Sequence, residues 1–385
     1  MPVNDPRRRQ LLTGTAAALT FGVAGCSGSQ STTADGSASD GGTDSMLADA
    51  SQFDPANPQW DQHNYLSSPL VDAGYERGST ADLDNMGSRE VEEVPHGQPV
   101  QEPPSDESEL LDPDTLVFTV SPSEDVQGRY EDDFAALFDS IREETGKEVE
   151  FNKVNSYAAS VEAMRSERAH IANFSTGTTA FAVNLAGAVP FAAGLTGDGA
   201  FGYRLFATTR ADADSIQNVD DFASDEVRIG HSEPASNSGH QAPSALFDQY
   251  FDVTPGDDYE VNFSGGHGNT TRGIANDDYD AGPICSTCFK DTVEASSNLS
   301  FDDFKVVWAS APFPNGPIAY RYNLHPDIVE GIEAAWLDTD YSGTAYAERT
   351  GYTQFVPITY RKHWKDIMII QRYNDVEYTQ SALSE

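Results

Sequence analysis

The sequence has little positive charge. Its 385 residues include six lysines and seventeen arginines against 62 aspartates and glutamates, which gives a formal net charge of −39. Such a chain does not bind nucleic acid or an anionic membrane surface by electrostatic attraction. High net charge is typical of disordered chains, but 38% hydrophobic residues, with 20 Phe and 16 Tyr, are enough to build a core. The composition indicates a folded, halophilic protein, because molar salt shortens the Debye length to ~3 Å and screens surface repulsion.

Familiar catalytic and metal-binding motifs are also missing. There is no H-E-x-x-H, G-x-S-x-G or Walker motif, and the eight histidines are dispersed along the chain. A zinc site needs four ligands, and the three cysteines supply only one pair, without a nearby His-x-x-His. We therefore expect no catalytic residue, no cofactor and no metal ion.

Residues 1–26 have the pattern of an export signal. Arginines at 7–9 form a basic start of the twin-arginine type, and residues 11–24 form an apolar segment too short to remain as a membrane span. V-A-G-C at 23–26 resembles a lipobox, which would make Cys26 the lipidated first residue; an ordinary cleaved signal is the alternative. The sequence predicts a protein exported by the twin-arginine pathway and lipid-anchored on the extracellular face of the cell membrane.

The rest of the chain divides by composition into a stalk and a folded body. Residues 27–113 are predicted to be a flexible stalk, rich first in Gly, Ser and Asp and then in Pro. From residue 114, strand and helix patterns alternate, which predicts α/β lobes with doubly wound, mostly parallel sheets. We assign 114–206 to the first lobe, 207–306 to the second, and 307–385 to a return into the first lobe and C-terminal helices. Two strands are expected to cross between the lobes.

A segment at 231–243, H-S-E-P-A-S-N-S-G-H-Q-A-P, lies between a predicted strand and a predicted helix. Small hydroxyl and amide residues there stand at a helix start, where free N–H donors and the positive end of the helix dipole point at one place. Neutral donors can hold an oxyanion at such a position. An exported, anchored chain with two lobes and this site is typical of a solute receptor that closes around its ligand.

Five motifs make the resemblance more specific. They are Y-A-A-S-V-E-A-M-R at 157–165, E-P-A-S-N-S-G-H-Q-A-P at 233–243, G-G-H at 265–267, D-A-G at 280–282 and S-A-P-F-P-N-G-P-I at 310–318. In order and spacing they resemble the PhnD-like family, the phosphate-, phosphite- and phosphonate-binding proteins of ABC importers. The resemblance covers residues 115 to about 335. It implies a type II periplasmic-binding-protein fold, a phosphorus-oxyanion ligand, and permease and ATPase partners; we expect a monomer.

The resemblance also implies where the oxyanion is held. Ser236, Asn237 and Ser238 would hold it with side-chain hydroxyls and backbone N–H groups, although Asn237 stands where Thr or Ser is usual. His267 would face the anion and donate one hydrogen bond when neutral or two when protonated. Asp280 would select ligands that bring a proton or an ammonium group, and so exclude sulfate. The alternatives are helix capping by Ser, a turn histidine and a surface carboxylate.

Closure over the ligand is assigned to the first lobe. Tyr157 and Tyr203 resemble positions that donate a phenolic O–H while the ring excludes water; packing in the core is the alternative. A second set of hydroxyl donors follows the third strand of this lobe: Ser175, Thr176, Thr178 and Thr179.

Cys285 and Cys288 do not belong to the family pattern. Outside the cell such a pair is expected to form a disulfide, which would stiffen the loop near Asp280. A redox-active C-x-x-C is the alternative. The alternatives for the whole chain are accordingly a sensor or scavenger that binds without transport, or an exported disulfide oxidoreductase.

Overall fold

The computed structural model describes residues 65–66, 71, 74–120 and 131–383. The predicted export signal and Cys26 lie outside the described residues, as does most of the stalk up to residue 73. Among the helices of the described part, none is both long and apolar enough to cross a membrane.

The described residues form twelve strands and eleven α-helices. The strands are β1 Tyr65–Leu66, β2 Thr115–Val120, β3 Glu148–Lys153, β4 Ile171–Asn173, β5 Ala188–Thr196, β6 Leu205–Arg210, β7 Ile229–His231, β8 Val261–Phe263, β9 Ala281–Cys285, β10 Phe304–Ala309, β11 Ile318–Arg321 and β12 Tyr352–Pro357. The helices are α1 Thr80–Gly87, α2 Ala135–Thr145, α3 Tyr157–Arg165, α4 Thr176–Ala186, α5 Ala242–Phe251, α6 His267–Ala275, α7 Ser286–Ala295, α8 Pro326–Leu337, α9 Ala345–Thr350, α10 Tyr360–His363 and α11 Lys365–Tyr373.

Two six-stranded sheets confirm the predicted pair of α/β lobes. Lobe 1 has the strand order β12-β5-β11-β4-β2-β3 and lobe 2 the order β1-β10-β6-β9-β7-β8. The sheets are mixed, so the expectation of mostly parallel sheets is wrong: β2 is parallel to β3 and β4, and β7 to β8 and β9, whereas the other pairs are antiparallel. The reason is that β5, β6, β10 and β11 lead into or out of the crossings and run against their neighbours.

Each lobe has its own aromatic core. In lobe 1, Phe118 of β2 packs against Phe134, Phe138 and Trp336, with ring centroids 5.6, 6.0 and 5.9 Å away. In lobe 2, the ring of Phe289 packs edge-on against Phe206 and Phe304. These rings fix each sheet against its helices, and their large buried area makes the two lobes stable bodies.

The chain crosses between the lobes in two adjacent segments, 197–204 and 310–317. Tyr203 and Phe313 pair as an antiparallel bridge between them. Because β6 begins at Leu205 and β10 ends at Ala309, lobe 2 starts and ends a few residues away from the predicted limits of 207 and 306. A third connection is made at the C-terminus, where α11 packs against α5 of lobe 2 and α4 of lobe 1.

The prediction of a flexible stalk is wrong for residues 74–113, here called the N-terminal arm. The arm pairs with the first crossing through Gly78 and Phe201, places α1 against α10, and reaches lobe 1 where Leu111 pairs with Leu324. Its Arg89 forms an ion pair with Asp366, 2.6 Å apart. Most of these contacts use backbone groups of the arm, so composition gave no sign of them. Since Oγ of Ser286 in α7 of lobe 2 donates a hydrogen bond to the carbonyl of Glu76 in the arm, the arm is a further link between the lobes.

Candidate functional site

A cleft of about 150 Å³ lies between the lobes. Six of the seven predicted ligand-binding residues line it: Tyr157, Tyr203, Ser236, Asn237, Ser238 and His267. Ser175 and Thr176 also line it, from the start of α4 in lobe 1. The structure therefore brings together residues that are more than 100 positions apart in the sequence.

Residues 236–238, here called the anion turn, enter α5 through one wide helical turn. Such wide turns are rare in proteins, and those that occur are often found at functional sites. Ser236 caps it, because its Oγ accepts a hydrogen bond from the N–H of Gly239 at 3.1 Å. A side chain at Gly239 has no room, since a Cβ there would lie 1.8 Å from Oγ of Ser232. The tight packing holds the backbone of the turn in one position.

His267 begins α6 and is held as one tautomer. Its Nδ1 accepts a hydrogen bond from the N–H of Cys285 at 3.2 Å, so the ring proton of the neutral side chain is on Nε2. Nε2 lies 3.1 Å from Oγ of Ser236. Burial lowers the pKa of His267 to about 3, which makes it a neutral donor near pH 7. The sequence-based alternative of a protonated, doubly donating His267 does not fit this environment.

These contacts leave the O–H of Ser236 available to donate a hydrogen bond. Its oxygen can accept two hydrogen bonds, and the N–H of Gly239 and Nε2–H of His267 occupy both positions. The O–H of Ser236 can then donate only to something else, and Ser236 lines the cleft. The side chain thus caps the turn and keeps a hydroxyl donor available in the cleft.

Asn237 links the anion turn to the first crossing. Its Nδ2 donates a hydrogen bond to Oη of Tyr203 at 3.0 Å, and its Oδ1 is buried without a partner in the described structure. Burial raises the pKa of Tyr203 to about 12, so its phenol stays protonated. An unpartnered buried carbonyl oxygen costs about 1–3 kcal/mol, which marks Asn237 as a position where a further donor would be stabilising.

The lobe 1 side of the cleft is built from helix starts. Ser156 caps α3 and places Tyr157, which is 6% exposed, at the first helical position. Thr176 donates a hydrogen bond from Oγ1 to the carbonyl of Pro314 at 2.8 Å, which ties α4 to the second crossing. These contacts fix hydroxyl groups opposite the anion turn.

The two lobes touch directly beside the cleft. A Cβ built on Gly177 of α4 would lie 2.3 Å from the carbonyl oxygen of Ala235 and 2.9 Å from the backbone nitrogen of Asn237. Gln371 of α11 donates a hydrogen bond to the carbonyl of Gly177 at 2.9 Å. The structure is therefore a closed arrangement, and only glycine allows this approach of the two backbones.

Asp280 does not lie in the cleft, and its predicted role in ligand selection is wrong. It stands just before β9, whereas the cleft is reached at Cys285, five residues and ~16 Å along the strand. Its carboxylate accepts hydrogen bonds from N–H, Nε and Nη2 of Arg228, at 2.8, 2.9 and 2.9 Å. Hydrogen bonds from Arg228 lower the pKa of Asp280. The carboxylate therefore stabilises the far end of the sheet.

Cys285 and Cys288 are joined in a disulfide that forms part of the cleft wall. Their Cα atoms are 5.1 Å apart. Cys285 ends β9 and caps α7, accepting a hydrogen bond on Sγ from the N–H of Cys288 at 3.3 Å. The same residue holds His267 through its backbone N–H, so the cysteine pair supports the position of this histidine in the cleft.

Several cleft residues have no counterpart in the sequence-based prediction: Arg77, Asn173, Thr287, Asp291, Asn315, Thr350 and Tyr352. Asn315 lies within the motif at 310–318, which was a usable signal. Arg77 lies in the N-terminal arm, and Thr350 and Tyr352 in the predicted C-terminal helical region, where no motif pointed to a ligand.

A second and larger cavity, of about 250 Å³, is lined by residues that follow the anion turn. It is bordered by His240, α5 and the end of α11. His240 contacts His231, with the two Nδ1 atoms 3.1 Å apart, and does not line the cleft between the lobes. The cleft between the lobes, where the predicted donors converge, is the better candidate for the functional site.

The chain matches a known protein family and curated relatives. Residues 118–364 match the family described as "ABC transporter, phosphonate, periplasmic substrate-binding protein". The phosphate-import protein PhnD of Mycolicibacterium smegmatis is 29% identical over 232 residues, which are 57% of this chain and 70% of that protein. The phosphonates-binding periplasmic protein of Escherichia coli is 25% identical over 205 residues, which are 52% of this chain and 59% of that protein.

Solved structures share the two-lobed fold. The binding protein component of an ABC phosphonate transporter from Pseudomonas aeruginosa is similar with a TM-score of 0.57 and 18% identity, over 70% of this chain and 90% of that one. PhnD1 from Prochlorococcus marinus, in complex with methylphosphonate, is similar with a TM-score of 0.56 and 15% identity, over 69% and 99%. Since the family match spans well over half of the sequence, the chain belongs to the family of periplasmic phosphonate-binding proteins, the substrate-binding components of ABC transporters.

Proposed function

We propose that this chain captures a small phosphorus oxyanion, namely phosphate, phosphite or a short phosphonate, and presents it to an ABC permease and its ATPase. The observation that carries the proposal is the arrangement of Ser236 and His267. Nε2 of His267 lies 3.1 Å from Oγ of Ser236 and donates to it, which leaves the O–H of Ser236 available to a ligand. Preorganised neutral donors beside a helix start bind an oxyanion through directed hydrogen bonds.

The size of the cleft limits the ligand. Its volume of about 150 Å³ is smaller than the ~300–1,000 Å³ of pockets for drug-sized molecules. An anion of a few heavy atoms fits, whereas a nucleotide does not. Methylphosphonate, the ligand of PhnD1 from Prochlorococcus marinus, is of this size.

Discrimination against sulfate requires a hydrogen-bond acceptor in the cleft. A monoprotonated phosphorus oxyanion can donate its P–OH proton, whereas sulfate has no proton to donate at neutral pH. With Asp280 outside the cleft, Oδ1 of Asn237 is the best-placed neutral acceptor, because it is buried without a partner. We assign the selection of protonated ligands to this amide.

Titration calorimetry in molar KCl tests the proposal. Five anions are titrated into the protein: phosphate, phosphite, methylphosphonate, 2-aminoethylphosphonate and sulfate. We expect binding of at least one phosphorus oxyanion, no binding of sulfate, and a loss of about 10- to 100-fold in affinity for Ser236→Ala. Ser244→Ala is the matched control, because Ser244 lies in α5 and borders the other cavity. Absence of binding to all four phosphorus anions, or equal binding of sulfate, would contradict the proposed function.

We further propose that the receptor is a lipid-anchored monomer exported by the twin-arginine pathway. The supporting features are the basic start at 7–9, the lipobox-like residues 23–26 and the stalk. Cys26→Ser should release the protein from the membrane fraction of an expressing host into the medium. Replacement of the three arginines at positions 7–9 by lysine should retain the protein inside the cell. Light scattering in molar salt should give the mass of one chain.

A further inference from the structure

The N-terminal arm contributes a charged residue to the cleft. The family match begins at residue 118, whereas Arg77 lies in the arm and lines the cleft. Its Nη1 donates a hydrogen bond to the carbonyl of Gly202 at 3.3 Å, and its guanidinium carbon lies 5.5 Å from the centroid of the Tyr352 ring. Gly202 belongs to the first crossing and Tyr352 to lobe 1, so Arg77 sits where the lobes meet.

The backbone around Arg77 is held by buried groups of lobe 2 and the first crossing. Ser286, the first residue of α7, donates a hydrogen bond to the carbonyl of Glu76. Arg204, which is fully buried, donates to the carbonyl of Arg77 at 3.4 Å and to that of Ser310 at 2.8 Å. Arg204 therefore has the structural role of anchoring the arm. Arg77 itself is only half-buried and carries five N–H donors, more than its contacts with Gly202 and Tyr352 use.

The charge balance of the cleft gives Arg77 its importance. Among the described residues that line the cleft, Arg77 is the one cation and Asp291 the one carboxylate, and His267 is neutral. The whole chain has a net charge of −39, so a dianion entering the cleft meets a negative field except where salt screens it. A guanidinium matches the oxygens of a phosphorus oxyanion in charge and geometry.

We propose that Arg77 is a ligand-binding residue, and that the N-terminal arm is for this reason a working part of the receptor. Arg77 supplies the full positive charge that the anion turn and His267 lack, while Asp291 opposes the anion and limits its affinity. This inference rests on the proposed function, because it requires the ligand to be an oxyanion. It adds a binding residue from outside the family domain.

The test is calorimetry of full chains with the phosphorus oxyanion that the unaltered protein binds best. Arg77→Gln should weaken binding by about 10- to 100-fold, because a charge-assisted hydrogen bond is lost. Arg77→Lys should restore part of the affinity, since it keeps the charge. Asp291→Asn should strengthen binding, because it removes a carboxylate that lines the cleft.

Arg89→Gln is the matched control. Arg89 is also an arm arginine, but it pairs with Asp366 and does not line the cleft. The substitution Arg89→Gln should lower the midpoint temperature of thermal unfolding slightly and leave the affinity for the oxyanion unchanged. Equal affinities of Arg77→Gln and the unaltered chain would overturn the inference, as would equal losses in Arg77→Lys and Arg77→Gln. If the unaltered chain binds no phosphorus oxyanion, the proposed function itself fails, which is a separate outcome.

Discussion

Nε2 of His267 lies 3.1 Å from Oγ of Ser236, although the two residues begin different helices and are 31 positions apart. The contact joins the starts of α6 and α5 at the cleft. Each residue is also fixed from behind, Ser236 by the N–H of Gly239 and His267 by the N–H of Cys285. The donor pair is therefore preorganised before a ligand arrives, which reduces the entropy lost on binding.

Replacement of His267 by Ala should weaken phosphorus-oxyanion binding by about 10- to 100-fold. A buried neutral donor is lost, and the hydroxyl of Ser236 is no longer held in the orientation that donates to the ligand. Calorimetry at constant pH and salt measures the effect. His325→Ala is the control, since His325 lies at the start of α8 with its side chain 40% exposed and does not line the cleft. Unchanged affinity of His267→Ala would show that the ligand binds elsewhere.

Replacement of Gly177 by Ala should prevent full closure. The new Cβ would meet the carbonyl of Ala235 across the lobe interface at 2.3 Å, so we expect at least about a tenfold loss of affinity. The separate lobes keep their cores, and small-angle scattering should show a wider particle with ligand present. Gly197→Ala is the matched control, because its nearest contact would be 3.6 Å away. A compact, ligand-binding Gly177→Ala protein would contradict the closed arrangement described above.

Stability should fall as the pH drops below 6.5, in part because of His240. Burial lowers the pKa of His240 to about 4, so the unfolded chain takes up a proton there that the folded chain does not. The contribution of neutral His240 to the free energy of unfolding is complete above the pKa that this residue has in the unfolded chain. It is lost as the pH falls from there toward 4. From pH 7 to about 5.5 the loss is about 1 kcal/mol.

Urea unfolding of the unaltered chain and of His240→Gln at both pH values measures this loss. The variant should show a smaller change in unfolding free energy, by about 1 kcal/mol. The same pH dependence in His240→Gln would refute the assignment.

Cys285 and Cys288 should not react with alkylating reagents until a reductant is added. In the denatured, unreduced precursor, mass spectrometry should find only Cys26 labelled, and reductant should expose all three thiols. The protein should not accelerate the reduction of insulin. Labelling of both cysteines without reductant would disprove the disulfide, and insulin reduction would favour the oxidoreductase alternative.

The parts of the site that depend on local sequence were predictable. The helix start with its capping serine is encoded within a few residues, whereas His267 was identified only through the resemblance of G-G-H at 265–267 to the family motif. The error at Asp280 arose because the D-A-G motif gives no direction relative to the cleft: the acid precedes β9, and the cleft lies beyond the end of β9.

Other elements could not be inferred from local pattern. β5 is rich in Ala, Gly and Pro and has low strand propensity, but burial between β11 and β12 on both sides stabilises it. The position of Arg77 depends on backbone contacts between distant segments, such as that of Gly78 with Phe201. The contact requires glycine at position 78, since a Cβ there would lie 2.8 Å from the Phe201 ring, but a single glycine in a polar segment does not identify its distant partner.

The number of links between the lobes has a consequence for the lifetime of the complex. Two crossings, the N-terminal arm and the C-terminal α11 all connect the lobes, so the ligand-free receptor has fewer relative orientations than a receptor held by two strands alone. Closing such a receptor loses less conformational entropy. The ligand would then dissociate slowly from the closed state, and rapid release would depend on a permease that pulls the lobes apart.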